Sequence, residues 1–441
     1  MKGKPSSTHF DFDRLYEEIA VSHFAHLDEL DDRRANKSLT ISDACKSAFA
    51  IYSLKASSLL DFRPKAPAEE ANLRRCFGID KIPSDSGLKK ILDQVDSTSL
   101  RRVFGKVYDY LEQHNVIDDY RFHEDYLTVS IDGVHHYSSQ KVSCPCCLQK
   151  HHRDGSITYS HCLLSAALVH AQRAEVFVLD NEPIVKQDGE HKNDCERSAA
   201  SRLFSPLAGT LGSESVVYAL DALYGCAPVI NLITQTSASW KYVINAKEAG
   251  HKHLFTQFDQ RNEEGGGVNW RTLRRKDGTY EIGYVSDLEL NASNREVRTN
   301  MVVLNYQPKK GAPPITFSWM TNLELRADTV MAVTQIGRSR WKIENEVFNT
   351  LKNQQYNFDH NFGHGQQHLA TNFAYLMMLA FTIDQLRQYG SRIFRSIWKG
   401  LKTKKAVWDA MRTVFKMVLC ESIDDLCRKV LDIYQLRMIR V

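Results

Sequence analysis

No stretch of this chain is apolar for long enough to cross a membrane. The longest such run, residues 373–383, stops well short of the roughly 20 residues that a spanning helix needs. Its helical flanks suit a buried helix. The first residues, 1–12, are polar and lack an apolar h-region, so they do not read as a secretory signal. Cysteine is sparse: 10 in 441 residues do not make a disulfide framework, and a reduced, cytoplasmic protein is expected. Charge of one sign is not in excess either. Lys and Arg number 57 against 53 Asp and Glu, and the formal charge of +4 is too small to point to a polyanion by itself. Long repeats and low-complexity tracts are missing. A 43% hydrophobic and 25% charged composition is that of an ordered globular protein, which excludes disorder on compositional grounds.

What is present falls into four parts. Residues 1–124 carry apolar positions at three- and four-residue spacing, with helix-start signals at Thr40-Ile41-Ser42-Asp43 and Pro83-Ser84-Asp85-Ser86 and basic pairs at Arg74-Arg75 and Arg101-Arg102. At Tyr126 the period shortens to two. Strands are expected over 127–132, 157–169 and 174–179, then a helix over 191–207, a buried strand over 215–221, a short helix over 228–234 and a fifth strand over 240–247. That β-β-β-α-β-α-β order is the one expected of an α/β, RNase H-like mixed-sheet core, here residues 125–255. Residues 256–324, with Gly265-Gly266-Gly267 and Lys276-Asp277-Gly278, read as a β-rich insertion. Residues 325–441 return to helical pattern, broken at 361–365.

Three carboxylates are singled out by their placement. Asp132 is expected at the end of the first strand, Asp221 at the end of the fourth, and Glu344 on the helix after the insertion. In an RNase H-like sheet the first and fourth strands are neighbours, so two carboxylates meet and a helix supplies the third. Mg²⁺ prefers oxygen ligands. Two such ions roughly 3.5–4 Å apart serve the attacking and leaving oxygens of a phosphodiester. Arg340, four residues before Glu344, shares its helix face and suits a carboxylate or a phosphate. Lys352, two turns on, adds a phosphate contact. Each residue also has an ordinary reading. Asp-Gly forms turns, Asp221 could cap a helix, and Arg340–Glu344 could be a surface pair. Trp341 fits either the stacking of an unpaired base or helix core.

The stretches Ser130-Ile131-Asp132-Gly133, Ala219-Leu220-Asp221-Ala222-Leu223-Tyr224 and Arg340-Trp341-Lys342-Ile343-Glu344 through Leu351-Lys352-Asn353 resemble bacterial insertion-sequence transposases of the DDE type. Within that family they resemble the subset with a β-strand insertion before the glutamate. Residues 57–62, 82–85 and 192–196 share the resemblance. It implies metal-dependent cleavage with Mg²⁺ or Mn²⁺ at terminal inverted repeats, strand transfer into target DNA, and a homodimer on double-stranded DNA near the bacterial nucleoid. It assigns catalysis and metal binding to Asp132, Asp221 and Glu344, and DNA contacts to Arg340, Trp341 and Lys352. Gly337 and Leu351 stand where related enzymes carry a tyrosine and a lysine, with Lys352 one residue late. Those departures touch the auxiliary phosphate contacts and the hairpin route, not the triad. The alternative is a catalytically inactive, transposase-derived DNA-binding protein. A third reading is a structural zinc-loop protein whose acidic triad is coincidental.

Secondary signals remain. Cys144, Cys146 and Cys147 followed by His151 and His152 offer soft ligands for a structural zinc in the loop between the first two strands. His161 and Cys162 are placed away from the loop tip and outside that set. His364 and His368 share a helical spacing, without a third ligand in view. Lys192, Asp194 and Glu196, at a helix start near the core, read as capping and surface-pair residues or as supports for the active site.

Overall fold

The computed structural model describes residues 10–29, 38–185, 195–265, 267–309 and 311–439. At its centre lies a 14-residue strand, β1 (Tyr126–Ser139). Four more strands build the core around it: β2 (Ile157–Val169), β3 (Phe177–Ile184), β4 (Val216–Leu220) and β5 (Trp240–Asn245). Across the sheet they run β3-β2-β1-β4-β5. The first three pair antiparallel, while β1–β4 and β4–β5 are parallel. This is the RNase H-like order that the sequence pattern implied. Every residue of β4 is buried, as a strand covered on both faces by helices must be. The Glu196–Leu211 helix leads into β4, and the Ala227–Thr236 helix leads from it to β5.

Two strands differ from expectation. β1 does not stop at Asp132: Gly133 pairs with Leu164, and the ladder continues, through an irregularity between His135 and Tyr137, as far as Ser139 opposite Tyr159. Asp132-Gly133 is therefore mid-strand and not a turn. β3 lies several residues later than 174–179 because it contains Asp180-Asn181-Glu182, a polar run that hides a buried strand. Arg101 makes those residues tolerable there. Its guanidinium holds both Asp180 oxygens at 2.6 Å and also binds Glu182, so the buried charges are paired.

The stretch expected as β-rich opens instead with a helix, Lys252–Glu263, whose Leu254 and Phe258 are four apart and buried. β6 (Asn269–Arg274), β7 (Gly278–Asn291), β8 (Asn294–Pro308) and β9 (Ile315–Thr321) then form an antiparallel meander. β9 pairs antiparallel with β5, Trp319 opposite Asn245 and Thr321 opposite Val243, so the inserted strands prolong the core sheet. Val217, Ala219 and Val243 of the core strands share one apolar cluster with Ile282, Val302 and Trp319, and with Val333 and Ile336 of the helix that follows.

The N-terminal helices pack on the C-terminal ones around the Leu369–Gly390 helix, all 22 residues of which are buried. It contains the apolar run 373–383. Among the described residues no helix is long and apolar enough to cross a membrane. Two polar contacts fasten this helix. The Asp93 carboxylate, at the end of the Asp85–Gln94 helix, accepts the backbone N–H groups of Gln366, Gln367, His368 and Leu369 at 2.9–3.2 Å. These are donors that a helix start leaves unpaired. Burial alone would raise the Asp93 pKa, but the four N–H bonds outweigh it and hold it below the usual carboxylate range. Deeper in, Lys55 Nζ meets Asp384 Oδ2 at 2.6 Å, and Tyr356 donates to the same oxygen at 2.6 Å. The ammonium lies between the rings of Tyr356 and Trp408, 4.0 and 4.3 Å from their centroids.

Asp384→Ala is expected to cost about 3–5 kcal/mol in urea unfolding, since Lys55 would remain buried without its counter-charge. A loss below about 1 kcal/mol would refute the burial of this pair. Asp93→Ala should cost about 1–2 kcal/mol at neutral pH. Because the folded pKa of Asp93 lies below the unfolded one, its contribution is present above the unfolded value and is lost as pH falls through the folded one. The stability gap between wild type and variant should therefore narrow in acid. A gap that widened would contradict the assignment.

Candidate active site

Parallel pairing of β1 with β4 sets Ile131 opposite Leu220, so Asp132, still within β1, and Asp221, the first residue beyond β4, lie side by side. Asp132 accepts from Gly133 N at 2.9 Å. Asp221 caps the short turn Ala222–Tyr224 by accepting from Ala222 N, so it does serve as a cap while facing the site. Lys247 Nζ stands 3.8 Å from Asp221.

Glu344 arrives from the far side of the insertion. The Val330–Ser339 helix ends at Arg340, and Ile343–Phe348, which includes Glu344, is wound as a π-helix. Such single wide turns are frequent at functional sites. Arg340 is the link. Ser130 Oγ of β1 donates to the Arg340 carbonyl at 3.2 Å. The guanidinium reaches Asp132 Oδ2 at 3.1 Å and Glu344 Oε2 at 3.9 Å. Its side chain is 6% exposed, against 48% for Glu344. Arg340 and Glu344 are therefore not a solvated surface pair. Among the described residues no three carboxylates close to within 4.8 Å of one another. Arg340 spans the gap between Asp132 and Glu344.

A fourth carboxylate adjoins the group. Glu196 is half-buried. It accepts from Tyr224 OH at 3.2 Å. Its Oε1 lies so close to Gly133 that a Cβ there would stand 2.6 Å away. The glycine after Asp132 leaves room for this carboxyl group, which a side chain there would displace. The sequence offered Glu196 as a cap or a support for the site. Of its neighbours in that run, Lys192 and Asp194 lie outside the described residues. Burial, with Glu196 and Asp221 adding to it, pushes the Asp132 pKa up to about 6 even though Arg340 works against the shift. Burial likewise raises Glu196, and Asp221 reinforces it. The cluster is thus short of positive charge and offers only hard oxygen donors, a donor set that fits divalent ions such as Mg²⁺ or Mn²⁺.

Trp341 is 48% exposed, which removes the helix-core reading. The Arg340 guanidinium lies 5.4 Å from its ring centroid. Lys352 is exposed, and its charge acts on His135 of β1. Gly337 is explained by β9: a Cβ there would overlap the Trp319 indole, 2.5 Å from Cε2. A tyrosine at 337 has no room in this chain, because the tryptophan already fills the space.

The loop cysteines come together differently from the expected set. Cys144 and Cys147 converge with His161 of β2 and with His364, whereas Cys146, His151 and His152 lie outside that group. His151 pairs in a short strand with Ile157, and His152 bonds Thr158 Oγ1 at 2.8 Å. Symmetric strand pairing would carry His161 away from the loop tip. The loop instead folds back over β2. His364 is 217 residues from Cys147, a pairing that no local spacing reveals. His368 bonds Ser97 at 3.3 Å and takes no part.

No family model matches the chain, and no curated protein matches it. Among solved structures, the cryo-EM structure of a piggyBac transposase synaptic complex with hairpin DNA is similar over 95% of this chain and 80% of that one, with 11% sequence identity and a TM-score of 0.41. The fold assignment rests on the strand order and register, not on that likeness.

Gly337→Ala is expected to lower stability by about 1–3 kcal/mol through overpacking against Trp319. Unchanged urea unfolding would show that the helix does not approach β9 this closely.

Proposed function

We propose that this chain is a DNA transposase of the DDE type, cutting at the terminal inverted repeats of a bacterial insertion sequence and joining the ends to target DNA. The observation that supports the reading is the placement of Asp132 and Asp221 side by side, with the Arg340 guanidinium bridging Asp132 to Glu344. The two aspartates come from adjacent parallel strands of an RNase H-like sheet, and the glutamate comes from a helix some 120 residues later that Arg340 ties back to the first.

In this reading Asp132, Asp221 and Glu344 hold two Mg²⁺ or Mn²⁺ ions. Such ions would supply activation of a water or 3′-hydroxyl and stabilisation of the leaving oxygen of a phosphodiester. Glu196 would add a further oxygen beside Asp132 or orient it. Arg340 offsets part of the negative charge of the metal-free site. With ions present it is free to orient Glu344 or to grip a phosphate bidentately. The exposed Trp341 beside it offers a flat face for an unstacked base at the cut, and Lys352 a phosphate contact. Two DNA ends brought together call for a homodimer, each copy acting on one end.

The test is cleavage of a labelled duplex carrying the inverted repeats that flank the gene, with Mg²⁺ or Mn²⁺. Asp132→Ala, Asp221→Ala and Glu344→Ala should each lose activity by on the order of 10³-fold while still binding the duplex, since each removes several kcal/mol of transition-state stabilisation. Cutting that persists in any one variant would place the active site elsewhere. Specific binding without cleavage by the wild type, under conditions that allow assembly on two ends, would favour the inactive DNA-binding alternative.

A further inference from the structure

Away from the carboxylates, four soft ligand atoms point at one spot. Cys144 Sγ and Cys147 Sγ are 3.7 Å apart. His161 Nε2 lies 3.4 Å from the first and 3.3 Å from the second. His364 Nε2 is 3.3 Å from Cys147 Sγ and 3.1 Å from His161 Nε2. A tetrahedral zinc ion, with bonds of about 2.3 Å to sulfur and about 2.0–2.1 Å to nitrogen, sets its ligand atoms roughly 3.3–3.8 Å apart. Four of these five separations fall in that range and the His161–His364 one is 0.2 Å shorter, so five of the six edges of such a tetrahedron are close to formed, and the sixth pair lies within 4.8 Å. Hydrogen bonding among the four does not account for the arrangement. Two imidazole nitrogens facing each other and two thiols share too few protons, and the best-bonded geometry would spread them into pairs.

The surroundings agree. Cys147, His161 and His364 are buried, and Cys144 is partly so. The turn between the cysteines is closed by Cys147 N donating to the Cys144 carbonyl at 3.2 Å, and Cys144 N points to Cys147 Sγ at 3.4 Å. An N–H aimed at sulfur favours the thiolate. The Tyr137 ring packs on His364, centroids 4.4 Å apart. Two thiolates and two neutral imidazoles cancel a 2+ charge, which makes burial of the whole group inexpensive. Hard ions are excluded by the same donors.

We infer that Cys144, Cys147, His161 and His364 bind one structural zinc ion. With four protein ligands it has no open position, so its role is to hold chain segments together. The segments are telling. Cys144 and Cys147 lie in the loop that follows β1, the strand of Asp132. His161 is in β2. His364 belongs to the chain after the Glu344 helix, next to the turn that Asp93 caps. The ion staples the part of the core before the insertion to the part after it. This assignment does not depend on the proposed reaction.

The experiment is metal analysis of the full chain purified without chelator, with cobalt replacement as a spectroscopic probe. One zinc per chain is expected in the wild type, and Co²⁺ should give the absorption of a tetrahedral, two-thiolate site. Cys144→Ser and His364→Ala should lose the metal, whereas Cys146→Ser and His151→Ala should keep it. Should His364→Ala fail to fold, His364→Cys is the companion: it should retain the metal, and its cobalt charge-transfer band should strengthen with the third thiolate. A wild-type chain that neither carries zinc nor takes up Co²⁺ overturns the inference. So does metal that survives His364→Ala but is lost in Cys146→Ser, which would confine the site to the loop.

Discussion

The register between β1 and β4 is the constraint on which the site depends. Two parallel strands with Ile131 opposite Leu220 deliver their next residues, both aspartates, to the same edge of the sheet. A slip of one residue would send one of them to the other face. The register is held by burial, since β4 is apolar throughout and is covered on both sides. The buried strand that makes the fold cohere also fixes where its charges emerge.

Charge then needs management. Asp132, Asp221 and Glu196 crowd a partly desolvated corner, and Arg340 is the cation nearest Asp132. Its position is determined from two directions: the Ser130 hydroxyl holds its carbonyl and the carboxylates hold its guanidinium. A buried arginine bridging carboxylates is only moderately stabilising by itself. It does ensure that the helix after the insertion docks in one way, with the π turn presenting Glu344 outward. Gly337 belongs to the same logic, small because the buried Trp319 indole occupies the space its side chain would take, and Gly133 leaves room for the Glu196 carboxyl group.

Much of this was legible in the residues. The β2 and β4 strands read cleanly because each carries a mostly apolar run between polar segments, and the three carboxylates stood out by their places in the strand order. Other features were hidden for physical reasons. Asp132-Gly133 looked like a turn because propensity describes an isolated segment, whereas here pairing to Leu164 carries the strand onward. β3 was displaced in the reading by Asp180 and Glu182, whose burial is legible only once Arg101 is known to face them. The Lys252–Glu263 helix was overshadowed by the glycines and strands after it. His364 escaped because a ligand 217 residues from Cys147 leaves no local trace, and His161 because the loop folds back over the strand instead of extending away from it. Glu196 reads as a cap, a surface-pair residue or a support for the site because nothing in its own segment says which strand it faces.

The way the inserted strands join the core has a mechanical consequence. β9 is laddered to β5, its Trp319 ring bears directly on Gly337, and the helix of Gly337 runs on to Arg340 and Glu344. Close-packed interiors transmit displacement instead of absorbing it. The meander therefore behaves as a stiff outrigger, not as a flap on a hinge. A load applied to its far strands is borne within a few residues of Arg340 and Glu344.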